Sequence, residues 1–164
     1  MKRSMNFKSV LSFLILTAVI LSFSACTIDT PEIRSYVDNV KSDMLEAVNN
    51  TRRLKKEQQS LDIRKKENAD QTQKTLENLE EIYSGLLKLE APSEYDELDS
   101  EIKKNAKDAL GYVSELHSLV KTAADSGNDS LYKQESVHIM NDYEIIYTNL
   151  VDLNSQVTTK YRKD

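Results

Sequence analysis

The sequence predicts an all-α fold, an antiparallel up-down bundle of four long helices. Three observations predict it. Of 164 residues only three are Gly and two are Pro, so the chain has few places to turn. Charged residues make up 30% and hydrophobic residues 39%, a balance that suits helices with one apolar stripe and one solvated face. Apolar residues also recur at alternating steps of three and four over most of the chain behind its first 30 residues.

The first 25 residues stand apart from that pattern. Lys2, Arg3 and Lys8 form a positive start, and Val10 to Phe23 is apolar except for Ser12, Thr17 and Ser22, the layout of a secretion signal. The run ends Leu21-Ser22-Phe23-Ser24-Ala25-Cys26, with small residues at the two positions before the chain's single cysteine. This resembles the lipobox of bacterial lipoprotein precursors, with Phe23 standing where an aliphatic residue is usual. The resemblance implies cleavage between Ala25 and Cys26 and a thioether-linked diacylglyceryl group on Cys26. Each acyl CH2 buried in a bilayer contributes about 0.8 kcal/mol, so two chains make a stable anchor. The competing reading is an uncleaved signal anchor, because residues 10 to 28 are close to the roughly 20 residues a spanning helix needs.

On that reading residues 1–25 are a cleaved signal peptide, 26–30 the lipidated cysteine and a short tether, and 31–164 one helical domain. Removing Lys2, Arg3 and Lys8 takes the net charge from -5 to -8. So acidic a surface repels phosphates, and the densest basic runs, 52–56 and 64–66, are short and followed by acids; a nucleic-acid partner is not expected. One cysteine allows neither an intrachain disulfide nor a multi-cysteine metal site.

The first helix opens at Pro31 with Thr30 as its N-cap. Its seam is Ile33, Val37, Val40, Met44, Ala47, Thr51, Leu54, Gln58 and Leu61, widened by Tyr36, Leu45 and Val48. No Gly or Pro marks its end. Matching its length to the later helices, about 45 Å for 30 residues, puts a turn near Gln58 to Asp62, where Ser60 or Asp62 could cap the next helix. A break at Asn68-Ala69-Asp70, or one unbroken helix from Pro31 to Glu90 in an elongated dimer, are the alternatives.

The second helix shows Leu76, Leu79, Tyr83, Leu86 and Leu87 on one face and stops at Leu89-Glu90-Ala91-Pro92, because a residue before proline is pushed out of the helical region. Ser93 is placed to cap the third helix, whose apolar face runs Tyr95, Leu98, Ile102, Ala106, Ala109, Val113, Leu116, Val120 and Ala123. Asp125 to Asp129 is a turn cluster. The fourth helix then carries Leu131, Met140, Tyr143, Ile146, Tyr147, Leu150, Leu153, Val157 and Tyr161.

Chemistry is thin. Glu135-Ser136-Val137-His138 has the Glu-x-x-His spacing of di-metal carboxylate bundles, but those sites need a second pair, and Ser114 precedes the other histidine, His117, at that spacing. His117 and His138 each lie about eight residues from the 125–129 turn, so a weak surface metal site with Glu115, Glu135 or Asp142 is conceivable; partly exposed polar side chains are the simpler expectation. Phosphate loops, nucleophile elbows and zinc-helix motifs are absent, and neither an enzyme nor a cofactor is expected. Tyrosines 83, 95, 112, 132, 143 and 147 could line a groove, though Tyr at helical spacing more simply sits at a core edge with its hydroxyl in water. The functional expectation is a lipid-anchored, non-catalytic extracytoplasmic protein on the cell membrane, held there by Cys26, that binds a protein or envelope component. An accessory lipoprotein that captures a small ligand or metal for a membrane partner is the second reading, and it needs an enclosed pocket between helices.

Overall fold

The computed structural model describes residues 29–60 and 62–163. They form four helices: α1 over Pro31–Ser60, α2 over Lys66–Leu86, α3 over Asp96–Ser126 and α4 over Asp129–Lys163. Among the described residues there is no strand. Each helix packs on the next and α4 returns to α1, which makes the up-down bundle expected from the short connections.

Thr30 caps α1 as its sequence indicates: its Oγ1 accepts a hydrogen bond from the Ile33 amide at 3.2 Å. The seam of α1 from Ile33 to Leu54 is buried throughout, and so is Tyr36. Leu45 is not; it is 64% exposed, and Val48 is half-buried. Leu45 points away from the core because the stripe of a helix at one corner of a bundle is narrower than the sequence pattern suggested.

The break between α1 and α2 lies between Ser60 and Lys66, so it begins at the end of the expected Gln58 to Asp62 region and runs past it; an unbroken helix to Glu90 is ruled out by that break, and Asn68 to Asp70 lie inside α2. Neither Ser60 nor Asp62 caps α2, which starts at Lys66 behind an uncapped Lys65. Asp62 instead closes a local turn, accepting from the Arg64 amide at 3.3 Å and its guanidinium at 2.8 Å. Behind it Ile63 is fully buried and donates its amide to Asp129 Oδ1 of α4 at 3.3 Å. One apolar side chain thus plugs this end of the core while one hydrogen bond ties its turn to the neighbouring one.

At 21 residues α2 is shorter than its neighbours, because it ends at Leu86 and a connection over 87–92 follows. Leu87, expected on its apolar face, lies just past its end and is half-buried. Ser93 does not cap α3. The chain makes one 3-10 turn over Ser93–Tyr95, and Ser93 Oγ donates to the Glu94 carboxylate at 3.3 Å. The cause is Tyr95, fully buried with its ring 5.5 Å from that of Tyr36. Drawing that ring inward tightens the chain by one turn before the α-helix begins. Asp96, Glu97 and Asp99 then sit in the first turn of α3, where negative charge complements the helix dipole.

The far end of α3 closes on Gly127. Its φ of 65° is the left-handed conformation that glycine adopts without a Cβ penalty. The amides of Gly127 and Asn128 return to the carbonyls of Ala124 and Ala123 at 3.2 and 3.0 Å, and Asn128 Oδ1 accepts from the Leu131 amide to start α4. The remaining core is built as expected on Leu76, Leu79, Ile102, Val113, Leu116, Leu150 and Val157, with Ala106 and Ala109 letting α3 approach its neighbours closely.

Candidate interaction site on the α1–α4 seam

The seam between α1 and α4 is packed more thinly than the other three helix interfaces, and it carries two open grooves. One lies near the α1–α2 turn, with a volume of about 580 Å³, rimmed by Lys55, Lys133 and Glu144 over Ser136, Val137 and Met140. Lys55 bonds to Glu144 across it at 2.5 Å. The other, of about 540 Å³, lies toward the start of α1 and has a more apolar lining of Met44, Leu45, Val48 and Val151 beside Asp38 and Asn154. The Oδ1 atom of Asn154 is buried there with no hydrogen-bond partner among the described residues.

Among the described residues three large apolar side chains project outward: Leu45 on α1, and Val137 and Ile145 on α4, at 64%, 48% and 62% exposure. Val137 forms part of one groove and Leu45 part of the other. Soluble surfaces expose single apolar residues routinely, so the exposures alone carry little. The place of Val137 and Leu45 in thinly packed grooves gives those two weight as contact points.

The interior beside the seam is polar in one tier. Thr51 Oγ1 of α1, Tyr143 OH of α4 and Tyr83 OH of α2 form a chain at 2.6 and 2.7 Å. Burial raises the pKa of Tyr83 well above its ordinary value and pushes that of Tyr143 up to about 12, so both stay protonated at neutral pH. Tyr83, Tyr95, Tyr132 and Tyr143 are therefore core residues, not edge residues with wet hydroxyls, and none of them lines either groove of the α1–α4 seam. The sequence pattern missed this because a tyrosine buried with a partner hydroxyl has the same spacing as one at a rim. One turn further along, Glu57 lies between α1 and α2. Its Oε1 accepts from Thr75 at 3.3 Å, and burial raises its pKa against the smaller opposing effects of Thr75, Arg53 and Thr72.

The histidines do not converge. His117 Nδ1 lies 3.4 Å from both carboxylate oxygens of Glu80 on α2, and Glu80 also accepts from Ser114 at 2.9 Å. Glu135 and His138 are exposed on α4 and share no bond with His117. Among the described residues no group of three or more His, Cys, Asp or Glu could hold a metal ion. Nor is any described helix long and apolar enough to cross a membrane. Ala25 and Cys26 lie outside the described residues.

No protein-family model matches this chain, and no curated protein and no solved structure matches it either.

Proposed function

We propose that this protein is a lipid-anchored, non-catalytic protein of the extracytoplasmic membrane face, whose bundle binds a protein or envelope component through the α1–α4 seam. The observation that carries the binding half is the outer face of α4, where Val137 stands exposed at an open groove and Ile145 is exposed about two turns further along the same helix. An exposed apolar side chain at a groove on a thinly packed seam is a surface that association would cover. The anchoring half rests on the lipobox-like run that ends at Cys26. A tether of four residues, 27–30, then holds the bundle close to the bilayer. Asp29 fastens the end of that tether, accepting from Arg34 at 2.5 Å and from Tyr161 of α4 at 3.2 Å.

The anchor is tested by the intact mass of the membrane-extracted protein. A chain that starts at Cys26 with an added diacylglyceryl group is expected, and an unmodified mass that retains Met1 refutes it. Binding is tested by a photo-crosslinking amino acid at Val137 or Ile145 in living cells. A discrete heterologous adduct from these sites, absent when the same group replaces exposed Lys107 on α3, is expected. Equal diffuse labelling from all three sites refutes the reading.

A further inference from the structure

We propose that a second copy of this chain docks antiparallel on the outer face of α1, with Leu45 on the twofold axis and Asp38 of each copy facing Arg52 of the other. Leu45 sits at the middle of α1 and is the most exposed large apolar side chain described, at 64%. Asp38 and Arg52 stand seven residues to either side. Seven residues turn a helix through 700°, only about 20° short of two full turns, so all three share one face, with the charges about 10.5 Å to either side of Leu45. Both charged residues are exposed, and neither forms an ion pair among the described residues.

This spacing is self-complementary in one direction only. In a twofold pair each contact of residue i with residue j is repeated as j with i. An antiparallel pair centred on Leu45 therefore makes the Asp38–Arg52 contact twice, whereas a parallel pair sets Asp38 on Asp38 and Arg52 on Arg52. In the same register Lys41 meets Asn49 and Ser42 meets Val48, so no like charges meet near the centre. Arg34 meets Lys56 at the margin, where Arg34 is already paired with Asp29 at 2.5 Å. The apolar groove formed by Met44, Val48 and Val151 lies beside Leu45 and offers the partner's Leu45 a place to lose its water.

Exposed ion pairs contribute little each, so the pair is weak in dilute solution and gains from confinement on one surface. Where both copies are anchored as proposed above, the two Thr30 ends lie about 45 Å apart at opposite ends of the pair, which lays α1 along the bilayer. The pairing itself does not rest on the anchor.

The test uses the full chain in detergent micelles with Cys26→Ser, so that the only thiol is an introduced one. Under mild oxidation Leu45→Cys is expected to form disulfide-linked dimers at least about tenfold faster than Ile145→Cys, a site of similar exposure. Adding Asp38→Arg or Arg52→Asp to the Leu45→Cys chain should lower its rate about tenfold, and the two reversals together should restore it. Circular dichroism of each variant confirms the helical fold. Equal rates at positions 45 and 145, or a rate at 45 that ignores the single reversals, overturns the proposal. Either result leaves the crosslinking test on α4 unaffected.

Discussion

The hydroxyl of Tyr143 lies 2.6 Å from Oγ1 of Thr51 and so ties α4 to α1 inside the seam that is otherwise the most loosely packed of the bundle. It also meets the Tyr83 hydroxyl at 2.7 Å, which brings in α2. Tyr143 is thus the middle of a chain of three buried hydroxyls, in which either oxygen of each pair can be the donor.

Tyr143→Phe removes the middle of that chain and leaves two buried hydroxyls without it. The expected loss is about 1–3 kcal/mol, the usual cost of stranding buried polar groups. Tyr83→Phe removes only an end, because Tyr143 keeps Thr51, and should cost about 1 kcal/mol. Urea denaturation of both variants checks the order; equal losses would show that the chain does not act as one unit.

Ile63→Ala empties the plug beneath the α1–α2 turn. Ile63 is 1% exposed, and large-to-Ala changes in cores cost about 2–5 kcal/mol. Thermal unfolding should show a fall of at least several degrees. A neutral result would mean that this end of the bundle is not closed by the turn.

Gly127→Ala isolates a backbone cost, because a Cβ built there meets nothing within 4 Å while φ stays at 65°. The left-handed conformation costs an L-residue about 1–2 kcal/mol. A loss of that size in the urea midpoint is expected, and Gly111→Ala, in the middle of α3 with equally open space, should stabilise slightly instead.

Glu57 supplies a pH dependence whose sign is opposite to that of acid unfolding. Burial raises its folded pKa, so the folded state holds the proton more tightly than the unfolded one, and the penalty for ionising it is present above the folded pKa. Glu57→Gln should therefore raise the urea midpoint at pH 7, and the gain should shrink as pH falls through the raised folded pKa and be gone once pH is below the ordinary carboxylate value. Against it, Asp62 and Asp129 have pKa values lowered first by hydrogen bonds from Arg64 and Lys133, and their contribution is lost as pH falls. A Gln variant that is no more stable at pH 7 than the parent would remove the burial argument.

Much of the candidate site was not legible in the sequence. Leu45 reads as core because it adjoins the seam by spacing, yet the width of a buried stripe depends on how closely α4 approaches α1. Tyr83 and Tyr143 read as rim residues because spacing cannot tell whether another helix brings a hydroxyl partner to the same level. His117 pairs with Glu80 from a different helix, 37 residues away, which no local pattern announces. The buried positions Ile63 and Thr72 lie at a turn and in a helical start where the apolar repeat is too weak to assign a face.

By itself the sequence determined the number and order of the helices, the Thr30 cap, the stop ahead of Pro92, the glycine turn at 127 and most of the apolar seams. These follow from local backbone preferences and helical periodicity, which act over a few residues. The tertiary structure decided that Leu45 faces outward, that Tyr95 enters the core through a 3-10 turn, and that Asp62 closes a turn without capping a helix. Those outcomes depend on which helices meet and how near they come, and burial, unlike periodicity, is a property of the neighbours.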